Sequence, residues 1–177
     1  MAVKNAEYPL DGARLLPAVK QRGDEESTTQ EGLNAAAAAA PALSLTVALI
    51  HLWVAFGYFE VWWGYGAFFL GLAAAQGLFS LALLRWPGRV LSLAGILGNL
   101  SVVMLYILSR TSGVPFGPHA GRAEEAGVLD MSATGIELAI VVFLLIRLGG
   151  RERTIAINAV LLAGVAIWVL RFTGLLS

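Results

Sequence analysis

The chain has 177 residues, of which 58% are hydrophobic and 14% charged, with a formal net charge of zero. A mean hydropathy of +0.74 implies more apolar surface than a soluble domain of this size can bury, which excludes that class and makes the lipid bilayer the expected solvent. Cysteine is absent, excluding structural disulfides, thiolate metal sites and cysteine nucleophiles, and no basic stripe of the kind that holds nucleic acid is present.

Residues 1–34 are polar, with Lys4, Arg14, Lys20 and Arg22 around the acidic cluster Asp24-Glu25-Glu26. They contain no apolar run of signal-peptide type, so the composition predicts a disordered cytoplasmic tail. Residues 35–177 read as a transmembrane helical domain, opened by an alanine run at 35–40 that favours helix. Five apolar segments follow, at about 42–59, 66–84, 90–108, 131–148 and 155–173, each long enough to cross a hydrocarbon core of about 30 Å as helix. The expected fold is all-α, a polytopic bundle of five spans.

The connections set its topology. Glu60-Val61-Trp62-Trp63-Gly64-Tyr65-Gly66 is an aromatic turn suited to headgroup level, with Glu60 as an interfacial charge, whereas the turns at 85–89 and 149–153 are tight and basic. Short turns predict antiparallel neighbours. The tail and the two basic turns belong in the cytoplasm, while the 109–130 loop balances Arg110 and Arg122 with Glu124, Glu125 and Asp130. The N-terminus is therefore placed inside, and the long loop and the C-terminus outside. Gly71 with Ala75, and Ala159 with Ala163, fit close helix contacts.

Polar side chains within the spans carry the functional content, because each is costly in lipid unless it faces the bundle interior. His51, Gln76, Asn99 and Glu137 each fall within about three residues of the middle of their span, so an antiparallel bundle holds them at one depth. Helical spacing puts His51, Ala55 and Tyr58 on one face, and likewise Tyr65, Phe69, Leu72 and Gln76; Asn99, Val103, Tyr106 and Arg110; and Asp130, Thr134 and Glu137. If these rows converge they line an outward-facing pocket made by His51, Tyr58, Gln76, Asn99, Tyr106, Arg110, Asp130, Thr134 and Glu137. The four mid-span residues are its floor, and Arg110 is expected to compensate both Asp130 and Glu137. The loop is its lid, ordered by Pro115 and Pro118 and turned at Gly113, Gly117 and Gly121.

Plainer roles stand beside these. His51, Gln76 and Asn99 serve equally as hydrogen-bonding partners between helices, Asp130 as the cap of the fourth helix, and His119 as an ordinary loop residue. His51 with Glu137 is the candidate pair for a divalent metal within the membrane, and His119 with Glu124 and Glu125 for one at the outer surface. One intramembrane histidine argues against a bis-histidine haem in a monomer, and neither an HExxH motif nor a phosphate-cradling loop is present. No residue set is assigned a catalytic role.

The segment from Ser109 to Pro118, then Ala126-Gly127-Val128-Leu129-Asp130 and Glu137, resembles a group of small bacterial multi-span membrane proteins. His51-Leu52-Trp53, Tyr65-Gly66 and Gly98-Asn99 share that likeness, which covers about residues 43–148 and brings no activity with it. The resemblance implies a multi-pass protein of the bacterial plasma membrane. Three functions fit the residues: a non-enzymatic pocket for a small ligand or metal ion; an accessory subunit contacting membrane-protein partners or further copies of itself; and a proton-coupled carrier or membrane enzyme using Glu137 with His51.

Overall fold

The structure is a computed structural model and describes residues 12–172. The start of the expected tail, residues 1–11, and the C-terminal residues 173–177 assigned to the outer side lie outside the described residues. Among the described residues five helices follow one another, α1 Gly12–Val61, α2 Trp63–Arg85, α3 Arg89–Thr111, α4 Val128–Arg147 and α5 Gly150–Phe172, with no strand. Four helices, again among the described residues, contain a segment long and apolar enough to cross a membrane: Gln30–Val61 of α1, and α2, α3 and α4. This all-helical architecture fits an integral membrane protein. The segment expected as a fifth span falls on α5.

The chain divides into two compact units, Met1–Ala35 and Ala36–Ser177. In the first, α1 begins at Gly12, inside the stretch assigned to the tail. The Gln30 amide there donates to Asn34 Oδ1, one turn on, at 3.2 Å.

In the second unit, α1 and α2 are joined through a single extended residue, Trp62 (φ −168°, ψ 133°), and run antiparallel. Their register can be followed step by step. Ser80 Oγ donates to the Pro41 carbonyl, Ser44 meets Gln76, the His51 and Phe69 rings lie 5.8 Å apart, and Tyr58 and Tyr65 meet edge to face at 6.2 Å. Each step along α1 is matched by a similar step back along α2. Gly66 permits the tight start, since a Cβ there would collide with the Phe59 ring. Gly95 does the same for the next two contacts, leaving room for Phe79 of α2 and Leu144 of α4.

Below the level of His51 the bundle is sealed by apolar packing. Val47, Leu83, Ile96, Ile140 and Leu144 are each at most 2% exposed and form one core. The flanks are the reverse: Trp53, Phe56, Trp63 and Leu97 stand exposed, as lipid-solvated side chains do. Gly71 and Ala75 belong to this outer surface rather than to a helix contact, because the buried face of α2 runs through Tyr65, Gln76, Ser80 and Leu83. Ala159 is exposed too, and the Ala163 side chain lies outside the described residues.

A polar relay crosses the bundle where the core begins. Ser44 Oγ lies 2.7 Å from Gln76 Oε1 and 2.9 Å from the Gln76 carbonyl, Gln76 Nε2 donates to Asn99 Oδ1 at 3.0 Å, and Asn99 Nδ2 donates to the Gly95 carbonyl at 2.7 Å. All three side chains are buried, so each group's desolvation is answered by the next. Gln76→Ala is expected to cost about 1 kcal/mol in detergent unfolding, because it leaves Asn99 Oδ1 without its donor and Ser44 with the residue 76 carbonyl alone. The triple change Ser44→Ala, Gln76→Leu, Asn99→Leu is expected to cost less than the three single changes added, and strict additivity would show that the relay does not act as a unit.

Candidate functional site

Above the relay, the helices surround a partly open cavity of about 100 Å³. α1 contributes Ile50, His51, Val54 and Tyr58; α2 Tyr65, Phe68, Phe69 and Leu72; α3 Val102, Leu105, Tyr106, Ser109 and Arg110; and α4 Asp130, Ala133, Thr134 and Glu137. Val114, Phe116 and Glu124 of the loop complete it. By liquid density a space of this size takes about three waters or one small molecule.

Its floor is the contact between His51 Nε2 and Glu137 Oε1, 3.2 Å, with the residues 4% and 1% exposed. An imidazole protonated at Nε2 donates there to the carboxylate. Glu137 Oε2 and His51 Nδ1 have no hydrogen-bond partner among the described residues.

The rim is built on Arg110. Its Nη1 donates to Glu124 Oε2 at 2.8 Å and its Nη2 to Asp130 Oδ2 at 2.5 Å, while its guanidinium carbon lies 5.1 Å from the Tyr106 ring centroid. The planar fork thus holds a loop carboxylate and a helix carboxylate at once. Asp130 sits in the first turn of α4, where the helix dipole favours a negative charge, but the N-cap position is Gly127 and the Asp130 carboxylate goes to Arg110. Thr134 turns its hydroxyl back to the Asp130 carbonyl, 2.9 Å away.

The lid is folded by hydrogen bonds at defined glycines. Gly113, Gly117 and Gly121 all have positive φ. Gly113 ends α3 by donating to the Leu108 carbonyl at φ +76°, a helix-terminating conformation that side chains resist. Glu124 N–H donates to the Ser109 carbonyl, bringing the Glu124 carboxylate back over Arg110. The Tyr65 hydroxyl donates to the Phe116 carbonyl at 2.9 Å, and a Cβ on Gly117 would stand only 2.5 Å from that hydroxyl. The wall below is aromatic, with Tyr58 and Phe69 stacked at 4.6 Å.

Of the residues expected in the pocket, His51, Tyr58, Tyr106, Arg110, Asp130, Thr134 and Glu137 line this cavity. Gln76 and Asn99 do not, being engaged in the relay. The expected compensation of Glu137 by Arg110 is not what forms. Glu137 lies seven positions beyond Asp130, about 10.5 Å deeper along the helix, and is met by His51 instead. Glu124 is the rim residue that sequence spacing did not reveal; the loop glycines turn it back towards Arg110. The metal candidates His51 and Glu137 are together as a hydrogen-bonded pair, and no group of three His, Cys, Asp or Glu side chains able to hold a metal occurs among the described residues. His119 is exposed, and Glu60 is exposed as an interfacial charge would be.

Arg110→Lys tests the rim. The lysine keeps the charge but lacks the two-pronged fork, so protease sensitivity of the 112–127 loop is expected to rise roughly tenfold, close to the rise in Arg110→Ala. Wild-type resistance in Arg110→Lys would show that charge alone holds the loop.

No protein-family model, curated protein or solved structure matches the chain.

Proposed function

We propose that the chain is a five-span protein of a bacterial plasma membrane, with its N-terminus in the cytoplasm, whose cavity faces outward and binds a small ligand without transforming it. The observation that carries this reading is the asymmetry of the bundle. Polar side chains from α1, α3 and α4 and from a hydrogen-bonded loop surround one cavity, while the opposite half is closed by a core of Val47, Leu83, Ile96, Ile140 and Leu144. A carrier needs a route through that half, and a pocket does not. The two-residue His51–Glu137 pair leaves a metal ion short of ligands, which favours an organic ligand held by hydrogen bonds and apolar walls. The basic turns at 85–89 and 149–153 support the orientation, and the likeness of residues 43–148 to small bacterial multi-span proteins supports the compartment.

Because the sequence contains no cysteine, single introduced cysteines report topology without background. A membrane-impermeant maleimide is expected to label Ala126→Cys in intact cells and Arg151→Cys only after lysis; the reverse pattern would invert the cavity. Metal analysis of the purified protein beside His51→Ala is expected to give equal contents. A divalent metal lost on that substitution would replace the organic-ligand reading with a metal site.

A further inference from the structure

Resting on the pocket reading above, we infer that the cavity selects a small organic cation, an ammonium group carrying short alkyl substituents. Charge is the first reason. The lining holds three carboxylates, Glu124, Asp130 and Glu137, against one guanidinium, Arg110, with His51 as its other basic group. The imbalance is negative when His51 is neutral, and remains negative when His51 is protonated. Such an excess in a low-dielectric bundle is costly until a cation joins it, which gives a positive ligand a larger electrostatic gain here than at a protein surface.

The second reason is an acceptor left over at depth. Glu137 is 1% exposed and lines the cavity, its Oε1 meets His51, and its Oε2 has no hydrogen-bond partner among the described residues. An ammonium N–H suits that oxygen, whereas an anionic ligand would face like charge from it. At the rim, Arg110 is shared by two carboxylates, so the trio keeps a negative surplus after its internal pairing.

The walls supply the third. Tyr58 and Phe69, stacked on one another, line the cavity, and Tyr65 meets the Tyr58 ring edge to face from the lid side. Aromatic faces attract cations, most strongly when water is excluded. One ring of the lining already does so, since the Arg110 guanidinium lies 5.1 Å from the Tyr106 centroid. Apolar walls around a carboxylate suit alkylated ammonium better than a strongly hydrated metal ion, whose shell needs more oxygen ligands than the cavity offers.

The test uses cysteine protection in the otherwise cysteine-free full chain, with Thr134→Cys and Ser109→Cys as independent reporters inside the cavity and Ala126→Cys as an exposed control. Neutral methyl methanethiosulfonate modifies the reporters in purified protein at neutral pH while trimethylammonium, tert-butanol or pivalate is present at constant ionic strength; the three share a branched shape and differ in charge. Trimethylammonium is expected to slow modification of both reporters roughly tenfold, with the other two within about twofold of no addition. Adding Glu137→Gln is expected to remove most of that protection. Equal or greater protection by pivalate or tert-butanol, or no protection by any of the three, overturns the cation assignment and leaves the pocket standing. Failure of the reagent to reach either reporter while it modifies the control overturns the pocket itself.

Discussion

The Glu137 carboxylate, 1% exposed, meets the His51 imidazole at 3.2 Å, and this contact joins helices whose paired residues are 86 positions apart in the chain. A carboxylate among apolar helices has to find a donor, and the stabilisation lost if it does not is large compared with any one packing contact. Fixing residue 51 of α1 against residue 137 of α4 also fixes what lies two turns above. Tyr58, seven positions after His51, and Asp130, seven before Glu137, rise together by about 10.5 Å to the rim. The position of the cavity therefore follows from one buried pair and the pitch of the helix.

Two polar layers cross the bundle and differ in how completely they are satisfied. In the Ser44, Gln76 and Asn99 relay, both Gln76 amide atoms are used and the Asn99 amide donates onward to the backbone. Nothing there is left to bind a guest, and the relay serves as a tie between α1, α2 and α3. In the layer above, His51 and Glu137 spend one atom each on one another and keep the second atom free of hydrogen bonds from the described residues. Full satisfaction specifies structure, and spare capacity beside a cavity is what recognition requires.

That distinction was invisible in the sequence, where His51, Gln76, Asn99 and Glu137 share a depth and a polar character. Helical spacing and the cost of polar groups in lipid were enough to bring Tyr58, Tyr106, Arg110, Asp130 and Thr134 to the same faces as the lining. Spacing does not say which acceptor meets which donor. Arg110 takes Glu124 because Gly113, Gly117 and Gly121 bend the loop through left-handed backbone, a three-dimensional fact that a linear charge pattern does not encode. The small residues Gly71 and Ala75 misled for a related reason: periodicity finds faces but does not rank them, and the relay and the Tyr65 row had already determined which face of α2 turns inward. Helix identity was the most legible feature, since runs of apolar residues of membrane length leave little alternative for α2, α3 and α4.

Arg110 makes the lid and the charge of the cavity parts of one arrangement. Its fork holds Glu124, which comes from the loop, and Asp130, which comes from α4, so this part of the loop's hold depends on both oxygens facing the guanidinium. A cation entering beneath the loop competes with Arg110 for those same oxygens, whereas an anion would draw the guanidinium away from them. Either event changes the free energy of the closed loop by as much as the ligand's preference for it, and by no more. The Tyr65 hydroxyl, bonded to the Phe116 carbonyl from a helix that takes no part in the ion pairs, keeps a second tether on the loop that charge does not disturb. The loop therefore rests on two unlike contacts, of which only the charged one is open to competition by an ionic guest, so on the pocket reading proposed above a ligand's charge would act on the ion pairs and leave the second tether in place.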